Sequence, residues 1–125
     1  MERYVFVALG AALGGLARYV IGTSITQYFG LRFPLGTMVI NVTGCFAIGI
    51  LMTVIGARAM NARWQPLLVV GVLGGYTTFS SFGWEAYQAV RDGNPMMGLA
   101  YVLLSVTLGY LAVWCGAAIA QRGIL

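Results

Sequence analysis

Gly71-Val72-Leu73-Gly74-Gly75-Tyr76-Thr77-Thr78-Phe79-Ser80-Ser81-Phe82-Gly83 places four serine and threonine hydroxyls directly after a glycine pair, deep inside a long apolar run. This is poor helix sequence. Glycine and hydroxyl residues release backbone groups from the helical ladder, and irregular backbone at membrane depth survives only against protein or along a polar cavity. The segment predicts a discontinuous helix, interrupted near Gly74 to Thr78. Carbonyls freed at such an interruption can coordinate a cation, while freed N–H groups and the start of the second half-helix can face an anion. The alternative is a continuous helix whose hydroxyls bond back to their own backbone.

Four apolar runs surround and include this segment, over residues 4–29, 33–57, 64–89 and 96–120. The expectation is an all-α membrane protein, a single four-helix transmembrane domain over residues 1–125 with its third helix broken. Composition agrees, because the chain is 60% hydrophobic and only 8% charged, whereas a soluble surface carries roughly 25–35% charged residues. Each run of about 25 residues would make a helix of roughly 38 Å, longer than the ~30 Å hydrocarbon core, so tilt or interruption is expected. Pro34, Pro66 and Pro95 all stand at the beginnings of runs, where a missing N–H costs nothing, and Asn94 is a suitable N-cap. The first run is too long for a signal-peptide core and is expected to be retained. Arg3, Arg58, Arg63 and Arg122 then lie on one side, against Arg32, Arg91 and Arg18 on the other. That near balance sets no firm orientation, and insertion in both directions is one reading of it.

The residues also exclude function classes. The chain has no His, and its three acids are Glu2, Glu85 and Asp92, so metal-cluster and acid/base catalysis lack their parts. Cys45 and Cys115 stand in apolar stretches and read as small buried hydrophobes. The seven arginines are scattered singly, without the basic face and stacking aromatics that nucleic acid requires. Gly10 with Gly14 and Gly71 with Gly75 have the spacing that lets helices approach closely. Four helices packed this tightly leave little room for an internal pore, so a second subunit is expected to help line any path.

Polar residues elsewhere at membrane depth fall at helical spacing: Thr37, Asn41 and Gly44 or Cys45 in the second run, and Tyr101, Ser105 and Gly109 in the fourth. All these polar side chains donate hydrogen bonds, and no carboxylate joins them, which favours an anion over a cation. Asn41 can equally serve as an interhelical hydrogen bond. Phe79 and Phe82 read first as packing aromatics, although ring edges turned toward a path offer weak electropositive contact to an anion. Arg18, some fourteen residues into its run, either snorkels to an interface or stands in a vestibule, where it can attract anions or pair with Glu85.

Three blocks complete a recognisable pattern: Gly10-Ala11-Ala12-Leu13-Gly14-Gly15-Leu16-Ala17-Arg18-Tyr19, Gly36-Thr37-Met38-Val39-Ile40-Asn41-Val42-Thr43-Gly44-Cys45-Phe46, and Gly71 through Phe82. Together they resemble the small bacterial fluoride channels (Fluc, also called CrcB) over essentially the whole chain. The resemblance implies an antiparallel, dual-topology homodimer in the lipid of the bacterial inner membrane, with two fluoride pathways and one structural sodium ion (Na+) at the subunit interface. It implies main-chain carbonyls of Gly74 and Thr77 as sodium ligands. It makes Phe79 and Phe82 the aromatic pair facing fluoride, against their reading as packing residues, and Asn41 a donor to the ion. Ser80, Ser81, Thr37, Tyr101 and Ser105 fall along a polar track, with Arg18 and Glu85 at the vestibule and track end. Ser81 stands where many relatives carry threonine, which keeps the hydroxyl.

Two rivals from other classes share the gross features. A proton-coupled small multidrug transporter needs an embedded carboxylate in its first span, where this chain has only Glu2 at the extreme end. A non-transporting scaffold would use the glycines and hydroxyls for packing alone, and replacing Asn41 or Phe79 would then alter assembly with no flux to lose.

Overall fold

The computed structural model describes residues 1–30 and 32–124, and Leu31 and Leu125 lie outside the described residues. The described chain is helical, in the order α1 (Glu2–Phe29), α2 (Leu35–Gly56), a 3-10 turn (Ala62–Trp64), a π-helical stretch (Pro66–Leu73), α3 (Gly74–Tyr76), α4 (Phe79–Arg91) and α5 (Pro95–Ile124). Four stretches, Glu2–Phe29, Leu35–Gly56, Ala62–Arg91 and Pro95–Ile124, are long and apolar enough to cross a membrane. They overlap the four expected runs: the first begins two residues earlier, the second is trimmed at both ends, and the third and fourth are extended at both ends.

Local chemistry accounts for the ends. Pro34 immediately precedes α2, while Pro66 and Pro95 occupy first helical positions, where no N–H is needed. Gly30 closes α1 in the left-handed conformation (φ 56°), donating its N–H to the Thr26 carbonyl at 3.0 Å. Asn61 caps the 3-10 turn, its side chain accepting from the Arg63 N–H.

Close backbone contact holds the bundle. α1 packs chiefly on the π-helical stretch and α3, and α2 chiefly on α5. At the first contact, a Cβ on Gly14 would meet the Val72 carbonyl, one on Gly71 would meet Gly10 at 2.8 Å, and one on Gly75 would meet Ala11. The two expected glycine pairs therefore face each other. The α2–α5 contact is built the same way, with Gly49 against Val113 and Ala117, and Gly116 against Phe46 and Ile50. Such contacts gain dispersion energy where lipid tails offer no hydrophobic driving force.

The surface left outside is large and apolar. It totals 8208 Å², against roughly 6,500 Å² for a compact soluble monomer of this mass. Only 11–22% of the residues in each span window are buried. Cys115, read from sequence as a buried hydrophobe, lies exposed on α5, while Cys45 is half-buried beside Gly109. An apolar stretch in a membrane chain has lipid as a second place to put a small thiol.

Candidate functional site

Between Tyr76 and Phe79 the backbone leaves the helical region. Thr77 (φ −80°, ψ 158°) and Thr78 (φ −149°, ψ 118°) are extended, and α4 begins at Phe79. Asn41, reaching from α2, holds this turn in both directions: its Nδ2 donates to the Thr78 carbonyl at 3.0 Å, and its Oδ1 accepts from the Thr78 N–H at 2.8 Å. Gly44, one turn further along α2, makes the approach feasible, since a Cβ there would collide with the Thr77 side chain.

The turn redirects two donors. In a continuous helix the Thr78 and Ser81 N–H groups would bond the carbonyls of Gly74 and Thr77, four residues back. Here the Thr78 N–H goes to Asn41, and the Ser81 N–H goes to Thr78 Oγ1 at 3.2 Å, an N-cap for α4. Gly74 and Thr77 thus lose their helical partners, and those are the two carbonyls expected to ligate sodium. Thr77 recovers one donor from outside, Arg18 Nη1 at 3.3 Å. Neutral carbonyl oxygens freed at a helix interruption are the hard donor type that suits an alkali cation. Among the described residues no group of three His, Cys, Asp or Glu side chains gathers to hold a metal.

Downstream of the turn the hydroxyls form a short chain. Thr78 Oγ1 lies 3.1 Å from Ser81 Oγ and 3.4 Å from Ser80 Oγ. One turn later Glu85 accepts from Thr37 at Oε1 and from Tyr101 at Oε2, each at 2.7 Å. Both are short hydroxyl–carboxyl hydrogen bonds, one to each oxygen of the side chain. The structure therefore spends Thr37 and Tyr101 on Glu85, and it bonds Arg18 to the Thr77 carbonyl rather than to Glu85.

Aromatic rings run alongside. Phe79 and Phe82 have centroids 5.7 Å apart, Phe82 and Tyr101 5.2 Å, and Tyr101 meets Phe33 edge-on at 5.5 Å. Tyr101 is completely buried, whereas Phe79 is 84% exposed. An apolar groove of about 390 Å³ joins Asn41, Thr77, Thr78, Phe79, Phe82 and Ser105. Ser105 Oγ is buried, with no hydrogen-bond partner among the described residues. On the other side of Thr78 a more polar cavity of about 590 Å³ contains Arg18, Thr37, Ser81 and Glu85. Glu85 also borders a third cavity, of about 380 Å³, with Arg32 on its wall. Thr78 lines both of the first two spaces, so the turn stands between them.

The structure thus brings every sequence-predicted site residue to one of these spaces or to the turn, apart from Ser80, which attaches through its hydroxyl contact, and Tyr101, which attaches through Glu85. Sequence reasoning missed Thr78. Its signal was available as a hydroxyl residue three before Ser81 at the start of a helical run, the pattern of an N-cap. It also missed Tyr19, Thr23, Thr26 and Gln27 on the cavity wall, whose spacing marks one helical face with Arg18 one residue off it.

Comparison with known proteins identifies the family. Residues 5–117 match the family model described as CrcB-like protein, Camphor Resistance (CrcB). A protein of Solibacter usitatus named fluoride-specific ion channel FluC is 60% identical over 121 residues, covering 96% of this chain and 99% of the relative. Relatives with the same name from Acidobacterium capsulatum and Rhizobium meliloti are 45% and 42% identical, covering 96% and 95% of this chain and 97% and 96% of theirs. These relatives are ion channels and not enzymes, and with matches of this extent the chain belongs to the CrcB-like family of FluC fluoride-specific ion channels.

Proposed function

We propose that this chain conducts fluoride passively across the bacterial inner membrane, as an antiparallel homodimer with two pores and one structural sodium ion at its interface. The observation that carries the proposal is the unwound turn at Thr77 and Thr78, which borders a groove on one side and a polar cavity on the other. The turn lines an apolar groove together with Ser105, whose buried hydroxyl has no partner among the described residues, and polar backbone at membrane depth needs protein or a polar path beside it. A second copy covers that groove in the dimer, and the near-balanced arginines suit insertion of the two copies in opposite orientations.

The donors available suit a small, strongly hydrated anion. The Asn41 amide has two N–H groups, one spent on Thr78, which leaves one for the ion. The first N–H groups of α4 and its dipole point at the turn, and Phe79 with Phe82 replaces water by ring edges. Ser105 adds a hydroxyl from α5. Beyond Thr78, the hydroxyls of Ser80 and Ser81 lead toward Glu85, and Arg18 raises the anion concentration in the adjoining cavity. The Gly74 and Thr77 carbonyls would hold the sodium ion, which supplies positive potential and fixes two turns against each other.

No energy source is needed. A negative-inside potential favours outward movement of a monovalent anion by ~2.3 kcal/mol per 100 mV. The cellular test is growth in fluoride of a bacterial strain lacking its own fluoride export. Expression of the chain is expected to restore growth, and failure to do so with the protein verified in the membrane would count against fluoride export.

A further inference from the structure

Arg18 is half-buried, and its guanidinium bonds the same Thr77 carbonyl that the proposed function gives to sodium. Its charge is not neutralised. Among the described residues the one ion pair is Arg91 with Asp92, and the carboxylate sharing its cavity, Glu85, is bonded instead by Thr37 and Tyr101. The placement follows from packing: Gly14, one helical turn before Arg18, brings α1 onto the backbone of Val72 and Tyr76, so Arg18 comes next along that face, level with Thr77.

We infer that Arg18 weakens the interfacial cation site, by donating to the Thr77 carbonyl and by repelling the cation that this oxygen would ligate. The inference rests on the sodium reading above. A carbonyl has two lone pairs, so guanidinium and cation can share it, but two positive groups on one oxygen repel at close range in a weakly screening interior. In a symmetric dimer the effect is doubled, because each subunit presents its own Arg18. The residue thus serves two spaces at once, attracting anions into the cavity on one side and setting the strength of the cation site on the other.

The experiment measures thermal unfolding of the purified, detergent-solubilised protein across a sodium titration at constant ionic strength, with N-methylglucamine as the replacing cation. Arg18→Gln removes the charge and shortens the side chain by two bonds, freeing the Thr77 carbonyl, and is expected to lower the half-maximal sodium concentration at least about tenfold. Arg18→Lys keeps the charge and is expected to stay within about threefold of wild type. An unchanged or raised midpoint in Arg18→Gln overturns the inference, since the arginine would then be neutral toward the cation or needed to orient its ligand. Should Arg18→Gln not assemble, Arg18→Met is judged by the same criterion, and failure of both overturns the inference because a purely repulsive charge is dispensable for folding. Absence of sodium-specific stabilisation in the wild type overturns it as well. Fluoride efflux by that same wild-type preparation then shows whether the channel reading stands without the cation.

Discussion

Asn41 and Thr78 form a closed pair: the asparagine amide donates to the threonine carbonyl at 3.0 Å and accepts from its N–H at 2.8 Å, as a strand neighbour would. One side chain thereby satisfies both backbone groups of an extended residue inside a helical bundle. The remainder of the site depends on this, because the same pairing removes the donor of Gly74 and fixes where α4 begins.

Replacing Asn41 therefore affects both stability and flux. Asn41→Ala removes two hydrogen bonds and leaves part-buried backbone groups unpaired, which is expected to cost about 2–4 kcal/mol in unfolding measurements. Asn41→Asp retains the acceptor for Thr78 but loses the donor and places negative charge on the path. It is expected to assemble and to reduce fluoride efflux by at least about tenfold. Normal efflux in Asn41→Asp would remove the side chain from the path.

Phe79 separates conduction from packing, because its side chain is 84% exposed within the subunit and contributes little to that subunit's core. Phe79→Ile keeps apolar bulk and removes the ring edge. Efflux is expected to fall by about tenfold or more while the unfolding temperature of the subunit stays within a few degrees. A variant with full efflux would return Phe79 to a packing role.

The Glu85 cluster provides a third test. Tyr101→Phe removes one of two short hydroxyl bonds to Glu85 and leaves a part-buried carboxyl oxygen unpaired, expected to cost about 1–3 kcal/mol. Thr37→Val removes the other. Because both act on one carboxylate, their effects in a double-mutant cycle are expected to be non-additive by more than about 0.5 kcal/mol. Additive losses would mean that the hydroxyls do not act through Glu85.

Glycine substitutions test the helix approach. Gly14→Ala drives a Cβ into the Val72 carbonyl, where no flexible atom can yield, and is expected to abolish assembly as judged by size-exclusion chromatography in detergent. Gly56→Ala meets nothing within 4 Å and is expected to assemble normally, with up to about 1 kcal/mol of gain from helix propensity. Equal behaviour of the two variants would contradict the packing described for α1.

Much of this was legible before the structure, for reasons particular residues make plain. Spans could be read because lipid imposes length and apolarity, and because Pro34, Pro66 and Pro95 mark their starts. The glycine pairs Gly10/Gly14 and Gly71/Gly75 announced close contact, and they meet. What could not be read is pairing across space. Nothing in the sequence states that Thr37 and Tyr101 both turn to Glu85, or that Arg18 chooses a backbone carbonyl over that carboxylate, since each depends on the rotation of helices about their axes. The π-helical stretch Pro66–Leu73 was equally silent, being uniformly apolar with no residue to mark the wider turn. Phe79 illustrates the remaining gap: an aromatic exposed on one chain does not by itself show what covers it.

The most direct test of the central claim is ion efflux from liposomes containing the purified protein, loaded with fluoride or chloride and followed by ion-selective electrodes after a potassium ionophore is added. The account predicts rapid fluoride loss, with chloride loss no faster than from protein-free liposomes. Retention of fluoride by liposomes in which the protein is folded and assembled, or equal loss of both anions, would contradict it.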